Sequence, residues 1–474
     1  MRRLTKIICT LGPTAGTPRL IEALAKGGMS VARINLSHGT WEEHRKTIRI
    51  VKALNKTLAS RGKLPSGIGI LLDTQGAEVR TGKMAVPLKI RRGELVVFSH
   101  KPVKNERKQV VIVDHDKFAQ DVREAERVLV DNGKMSLELV SVRKDGSVVL
   151  KAIEQGVIGS RKHINLPGAN LDMPSITKND WISIKNAADE GVDFLGLSFV
   201  RKAEEVEEVR RYLTKRGKHI TLVAKIETRQ AMECLPEIID ASDAVMVARG
   251  DLGSEIPFEK MPVAQDDIVR LSRKAGKPVI VATHMLESMI QNPLPTRAEV
   301  TDIAHAATCY TDLTMLSAET ANGAHPLKAL DAMDRVLRET EAHLAKSSRM
   351  LTAEIRTERD AQAEAAVTQA ISAGAAAIAV MTRTGQTARE IARFRAHLPV
   401  IAFTPDASVQ RALALSFGVF PLVTPFKNDP ETTVVAGIAL ARKAGLLKKG
   451  DRFILVTDAR THEDNVSTIQ ERKV

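Results

Sequence analysis

The chain has 474 residues, with 70 basic and 57 acidic side chains and a net charge of +13. At roughly 150 residues per domain this length suggests about three domains. Its 43% apolar and 27% charged content excludes disordered and fibrous architectures. Only Cys9, Cys234 and Cys309 occur, far apart and with no CxxC pair. That argues against a disulfide scaffold or a thiolate zinc site and favours a reducing cytoplasm. No apolar run of about 18 residues appears, so neither a membrane span nor an export signal is expected.

In chain order, short Ile/Val/Leu-rich runs alternate with helix-length amphipathic segments. The runs are Thr5 to Leu11, Val31 to Ser37, Gly67 to Thr74, Phe194 to Val200, Thr221 to Ile226, Asp243 to Ala248, Pro278 to Thr283 and Leu313 to Ala318. Between them lie expected helices at Trp41 to Ala59, Ala203 to Lys215, Arg229 to Asp240, Pro262 to Ala275 and Thr296 to Thr308. Eight such units predict an α/β (β/α)8 TIM barrel over 1–74 and 171–345. The long gap after the third run holds alternating stretches at Leu95 to Ser99, Val110 to Val113 and Ser147 to Ala152, which predict an inserted small β-barrel-like lid domain at 75–170. Beyond residue 345 the rhythm restarts. A helix at Ala363 to Ala373, a strand at Ala376 to Met381, a helix at Thr387 to Arg395 and strands at Val400 to Phe403 and Phe453 to Val456 predict a C-terminal α/β domain at 346–474.

The carboxyl ends of barrel strands build active sites, and here they are polar. They read Thr10-Leu11-Gly12-Pro13, Arg33-Ile34-Asn35-Leu36-Ser37-His38, Asp73-Thr74, Lys225 and Glu227, Arg249-Gly250-Asp251, Thr283-His284 and Ser317-Ala318-Glu319-Thr320. Glu227 and Asp251 are hard donors suited to a divalent ion that keeps waters, although each alone could equally be a helix cap or a surface charge. Lys225, two residues before Glu227, shares its face. An ammonium beside a metal neutralises a transferring phosphoryl group or an enolate. Arg33, Asn35 and Ser37 alternate along one run and are expected to face one way. Arg33 is fit for phosphate. The oxygens of Asn35 and Ser37 are fit for a monovalent cation, with Asp73 and Thr74 completing the cage; a polar layer without ions is the alternative. The glycines in Ala248-Arg249-Gly250-Asp251-Leu252-Gly253 offer backbone amides to an anion. No P-loop, no GxGxxG after a strand and no HExxH motif is present.

Between positions 80 and 108 nine basic residues face only Glu94 and Glu106. A solvated surface and an electrostatic attractor for polyanions are both open readings. With only 15 aromatic residues, base-stacking platforms are poorly supplied, so nucleic acid is not expected as a partner.

The chain resembles the pyruvate kinase family. The likeness rests on Thr5 to Pro13, GMSVARINLSHG (Gly28 to Gly39), LLDTQGAEVRTG (Leu71 to Gly82), INLPG (Ile164 to Gly168), FVRK (Phe199 to Lys202), AKIET (Ala224 to Thr228), MVARGDLGSEIP (Met246 to Pro257) and NPLPTRAEVTDIA (Asn292 to Ala304). The resemblance implies phosphoryl transfer from phosphoenolpyruvate to ADP, giving pyruvate and ATP. It implies Mg2+ (or Mn2+) on Glu227 and Asp251, and K+ held by Asn35, Ser37, Asp73 and the Thr74 carbonyl. Lys225 would stabilise the phosphoryl transition state and the enolate, and Arg33 would bind phosphate. Substrate would lie against Ala248, Arg249, Gly250, Asp251 and Thr283, with Ser317 near the side of proton delivery. Arg80 and Lys162 at the edges of the lid would reach nucleotide phosphates when it closes, and His38 would lie near adenine. Glu78 implies a potassium requirement. Thr382, Arg383, Thr384, Gly385, Gln386 and Thr387 match the loop that receives a phosphorylated effector, plain helix capping being the alternative. The resemblance also suggests a homotetramer.

The chain departs from the family at His284, where Gln is usual after Thr283, and at Cys309-Tyr310, where Asp-Gly is usual. Ala318 replaces a frequent Gly, and His163 stands where Gly follows the lid lysine. Two other readings are a phosphoenolpyruvate or pyruvate barrel lyase, which needs neither potassium cage nor ADP clamp, and a basic nucleic-acid-binding protein with an inactive barrel.

Overall fold

The computed structural model describes residues 2–60, 66–103, 109–131, 133–169, 171, 173–346, 355, 357–460 and 465–474. Lys104, Glu106, Arg107 and Lys108 of the basic stretch lie outside the described residues. Eight parallel strands close into a barrel: β1 (Lys6–Thr10), β2 (Val31–Asn35), β3 (Gly69–Asp73), β4 (Phe194–Leu197), β5 (Thr221–Ile226), β6 (Ala244–Ala248), β7 (Val279–Ala282) and β8 (Leu313–Leu316). Each pairs with its neighbour in sequence, and β1 closes on β8.

Strand alternation divides the side chains into two cores. Ile8, Val31, Leu71, Val223, Met246 and Ile280 fill the lumen, whereas Ile7, Ala32, Leu72, Ala224 and Val247 pack against the helices. The same alternation carries the inward rows upward from apolar to charged: Leu71 is followed by Asp73, Val31 by Arg33, and Val223 by Lys225 and Glu227.

Between β3 and β4 the chain forms a seven-stranded sheet and a two-stranded ribbon. It leaves the barrel through Val79–Arg80 and returns through His163–Asn165, an antiparallel pair with His163 opposite Arg80. This segment has its own core, including Val96, Phe98, Phe118 and Leu150.

The last part of the chain builds a five-stranded sheet in the order Val419–Val423, Val400–Thr404, Ala377–Met381, Arg452–Arg460, Asn465–Lys473. Two of these strands were not legible in sequence. Val419–Val423 contains Pro421, which demotes a strand reading, and Asn465–Lys473 is a polar edge strand paired antiparallel to its neighbour.

Several expected elements shift. The helix expected from Arg229 to Asp240 is two helices, Arg229–Glu233 and Leu235–Ala241, broken at Cys234 with Pro236 in the first turn of the second. The helix expected from Thr387 to Arg395 is Gln386–Ala392, and the one expected from Ala363 to Ala373 begins earlier, at Glu358, behind a Thr357/Asp360 capping box. Among the described residues no helix is long and apolar enough to cross a membrane.

Below the barrel, Ala414 and Leu415 join the lumen core. Asp312, 2% exposed, accepts from Arg395 Nη2 at 2.6 Å and from the Phe417 amide at 2.9 Å. Lys6, at the inward-facing start of β1, lies 3.9 Å from the centre of the Phe420 ring. Burial, with Arg3 adding to it, lowers its pKa to about 7. The unfolded chain therefore binds the extra proton from about pH 7 to the ordinary lysine value of 10.5, and stability rises with pH across that window. Lys6→Met is expected to raise the melting temperature most below pH 7, with the gain shrinking towards pH 10. Thermal melts across pH 6–10 check this; a pH-independent difference would contradict it.

Candidate active site

At the carboxyl end of the barrel, four charged side chains meet with little water. Arg33 Nε donates to Asp73 Oδ2 at 2.7 Å, and its Nη1 donates to Thr10 Oγ1 at 3.1 Å. Lys225 Nζ lies 2.9 Å from Glu227 Oε1 and 3.6 Å from Asp73 Oδ2, and it donates to Ser198 Oγ at 2.7 Å. The Ser198 hydroxyl in turn donates to the Thr74 carbonyl at 2.7 Å, and the Phe199 amide donates to Glu227 Oε2 at 2.6 Å. Arg33 and Lys225 are each 8% exposed, Glu227 1% and Asp73 not at all.

Such burial requires pairing. It opposes the charge on Asp73, yet Arg33 and Lys225 outweigh it and hold the carboxyl below the usual aspartate range. Burial likewise opposes the Lys225 charge, but Glu227 and Asp73 reverse this and raise its pKa. For Glu227 burial dominates and raises the pKa, with Asp251 adding to the rise and Lys225 opposing it. Two carboxylates close enough to repel, one fixed by a backbone amide and an ammonium, are a donor set that a hard divalent ion relieves.

Asp73 stands between Asn35 on β2 and Gly196 on β4 in the strand register. A side chain at Gly196 would place its Cβ 2.1 Å from Asp73 Oδ1, so glycine is what lets the carboxylate lie against the strand. That oxygen is buried with no hydrogen-bond partner, the kind of orphan a bound cation satisfies. The oxygens of Asn35, Ser37, Asp73 and Thr74 therefore fit a monovalent ion by donor type. Strand β2 ends at Asn35, however, and the Ser37 amide turns back to donate to Asn35 Oδ1 at 3.1 Å. The strict alternation expected for Arg33, Asn35 and Ser37 thus stops at Asn35, two residues before Ser37.

Asp251 sits in the first turn of the helix Arg249–Glu255, which follows β6 directly. The Arg249 guanidinium brackets the Thr283 carbonyl from Nε at 3.1 Å and Nη2 at 2.6 Å and meets Asp302 at 2.7 Å. The Gly250 amide donates to Thr283 Oγ1 at 2.8 Å. Thr283 and His284 have φ of +68° and +55°, a left-handed conformation rare outside glycine and concentrated at functional sites. His284 is exposed beside Glu287, at 3.5 Å. Ser317 lies just past β8; its amide donates to Glu319 Oε2 at 2.7 Å, and its hydroxyl is buried without a partner. Ala318 opens the short helix Ala318–Ala321.

The inserted segment reaches this mouth through its return strand. His163 Nδ1 is 3.8 Å from Asp251 Oδ1, its ring meets Phe199 edge-on, and Asn165 Nδ2 donates to Glu255 at 3.2 Å. Arg80 and Lys162 are not joined to the charge cluster in this conformation. Arg80 pairs with Glu78 at 2.6 Å, and Lys162 with Asp131 at 3.0 Å. His38 lies exposed just past the turn that follows β2. The loop from Thr382 to Thr387 belongs to the C-terminal sheet, where Thr382 Oγ1 accepts from the Gly385 amide at 2.8 Å and Gly385, at φ +81°, caps Gln386–Ala392. Tyr310 holds φ +60°, a conformation that suits the glycine usual there.

Ser198 was missed in sequence. It lies one residue past β4, the strand end left out of the survey, and the rule that found Lys225 and Asp73 would have found it. Removing a hydrogen bond to a charged group costs ~1.5–3 kcal/mol. Ser198→Ala is therefore expected to lower the melting temperature and, by loosening Lys225, to lower kcat about 10-fold. Steady-state kinetics beside a thermal melt check this, and an unchanged kcat would contradict it.

A lysine–carboxylate cluster at a barrel mouth, built to manage negative charge and bordered by an inserted segment, defines a barrel phosphotransferase. The sequence comparisons narrow the class. The pyruvate kinase barrel domain matches residues 2–330, and the pyruvate kinase alpha/beta domain matches residues 360–470. Plastidial pyruvate kinase 2 of Arabidopsis thaliana is 39% identical over all of this chain and 82% of its own length. Pyruvate kinase isozyme G of Nicotiana tabacum is 40% identical over 96% of the chain and 80% of its own length. Pyruvate kinase of Sporosarcina psychrophila is 39% identical over 99% and 80%. The chain belongs to the pyruvate kinase family and is a phosphotransferase, not a lyase.

Proposed function

We propose that the barrel mouth carries phosphoryl transfer from phosphoenolpyruvate to ADP through the residues described above. The observation that supports this most is the Lys225 ammonium, buried and fixed by Glu227, Asp73 and Ser198. It is a preorganised cation that costs no reorganisation when charge moves. Arg33, braced by Asp73 and Thr10, presents its guanidinium to the phosphoryl oxygens. As the phosphorus–oxygen bond to the enol oxygen breaks and a bond to the ADP β-phosphate oxygen forms, Lys225 offsets the charge left on the enolate. A proton then reaches the methylene carbon from the side of Thr283 and Ser317, giving pyruvate. Glu227 and Asp251 would hold Mg2+ or Mn2+, and Asn35, Ser37, Asp73 and Thr74 would hold K+. When bound, these ions supply positive charge to the substrate carboxylate and the transferring group. Substrate would lie against Ala248, Arg249, Gly250, Asp251 and Thr283, the Gly250 amide being held by Thr283 Oγ1 in this conformation. Arg80, Lys162, Asn35 and His38 receive the nucleotide once the inserted segment closes and excludes water.

The same reading takes 1–74 with 171–345, 75–170 and 346–474 as three domains. It assigns the loop of Thr382, Arg383, Thr384, Gly385, Gln386 and Thr387 to a phosphorylated effector, and takes the enzyme as a cytoplasmic homotetramer. Saturation curves with sugar phosphates and AMP, together with light scattering, address the effector and the assembly.

A coupled assay with phosphoenolpyruvate, ADP, Mg2+ and K+ tests the core of the reading. Lys225→Met is expected to lower kcat by on the order of 10³ with a smaller change in KM, and retained transfer would overturn the role given to Lys225. Glu78, paired with Arg80, is half-buried beside the lid strand. The parent chain is expected to need K+, and Glu78→Lys to turn over in tetramethylammonium buffer; full parental activity without K+ would contradict this.

A further inference from the structure

We propose that Asp266, His305 and Cys309 form a surface site for a divalent transition ion of the zinc class, separate from the transferase mouth. His305 and Cys309 are four residues apart, at the end of the helix Arg297–Thr308 and its cap, so they share one face. Asp266 comes from the helix Met261–Lys274 alongside. Cys309 Sγ is 3.3 Å from Asp266 Oδ1 and 3.5 Å from His305 Nε2, and His305 Nε2 is 3.6 Å from Asp266 Oδ1.

Tetrahedral zinc, with a Zn–S bond of about 2.3 Å and Zn–N and Zn–O bonds of about 2.0–2.1 Å, sets its ligand atoms roughly 3.3–3.6 Å apart. The three separations fall in that range without rearrangement.

The chemistry of the trio agrees with this geometry. A thiolate, an imidazole and a carboxylate together select borderline ions over Mg2+, whereas the Glu227–Asp251 pair at the mouth offers carboxylate oxygens. The side chains of Asp266 and His305 are 51% and 42% exposed, which leaves an entry path and room for water as fourth ligand. Burial, with the hydrogen bond to Asp266 adding to it, raises the Cys309 thiol to about 12. Without an ion the sulfur therefore stays protonated, and binding releases that proton. Binding at His305 Nε2 leaves the ring proton on Nδ1, which faces Gln265 Nε2 at 3.3 Å. A half-turn of that amide presents its oxygen instead. The turn gives up a 3.2 Å bond from Arg249 Nη1, which keeps Asp302 at 2.7 Å. Cys309 is also one of the places where the chain departs from its family, so the site is a property of this chain.

The test uses the full chain, stripped with chelator, saturated with Mg2+ to fill the oxygen site at the mouth, and titrated with Co2+. One Co2+ per chain is expected to give tetrahedral visible absorption and a near-ultraviolet thiolate-to-cobalt band, both displaced by Zn2+. Cys309→Ser is expected to lose the near-ultraviolet band, His305→Ala to weaken binding, and Zn2+ to protect Cys309 from alkylation as read by mass spectrometry. Absence of the thiolate band in the parent chain, or its persistence in Cys309→Ser, would overturn the proposal.

Discussion

Burying Arg33, Asp73, Lys225 and Glu227 together is tolerable because each cation faces a carboxylate across less than 4 Å and Thr10, Ser198 and the Phe199 amide bond three of the four, Asp73 Oδ1 being left unpartnered. Removing Asp73 leaves Arg33 without its carboxylate, and removing Lys225 leaves Glu227 without its cation. This cancellation dictates much of what surrounds it. The inward rows of the barrel run from apolar to charged on β2, β3 and β5, offset along the register: Arg33 lies opposite Leu71, and Asp73 opposite Gly196, which pairs with Val223. It also gives the proposed reading its footing: cations held by carboxylates are in place before any charge moves.

The rest of the molecule frames that cluster. The apolar lumen beneath it, closed from below by Ala414 and Leu415, leaves the mouth as the open end. The inserted segment hangs on two short strands, one carrying Glu78 and Arg80 at its edge and the other His163 and Asn165, which touch Asp251 and Glu255. Movement of that segment therefore acts directly on residues beside the carboxylate pair. Asp312 does a comparable job at the opposite end, where one buried carboxylate ties β8 to Arg395 and to the Phe417 amide.

All eight barrel strands were legible in the sequence because parallel strands buried on both faces read as unbroken Ile/Val/Leu runs. The charged ends of those runs were legible for the same reason, since Lys225 and Asp73 interrupt an apolar pattern. What escaped notice carried weaker signals. Val419–Val423 is broken by Pro421, Asn465–Lys473 is a polar edge strand, and Ser198 is a small hydroxyl that stands out only once its neighbours' positions are known. The turn at Ser37 escaped because an Asn side chain capturing a backbone amide ends a strand without altering its hydrophobic pattern. The pairings of Arg80 with Glu78 and of Lys162 with Asp131 depend on lid strands that composition alone leaves vague.

Gly196 shows how narrow the tolerance of such a site is. With a methyl group there overlapping the neighbouring carboxylate, even alanine must evict Asp73 from its slot, which strips Arg33 of its counter-charge and leaves Lys225 with Glu227 alone. The smallest side chain in the barrel thus guards its largest electrostatic investment, and drift at this codon is closed off by geometry rather than by any chemistry the residue performs.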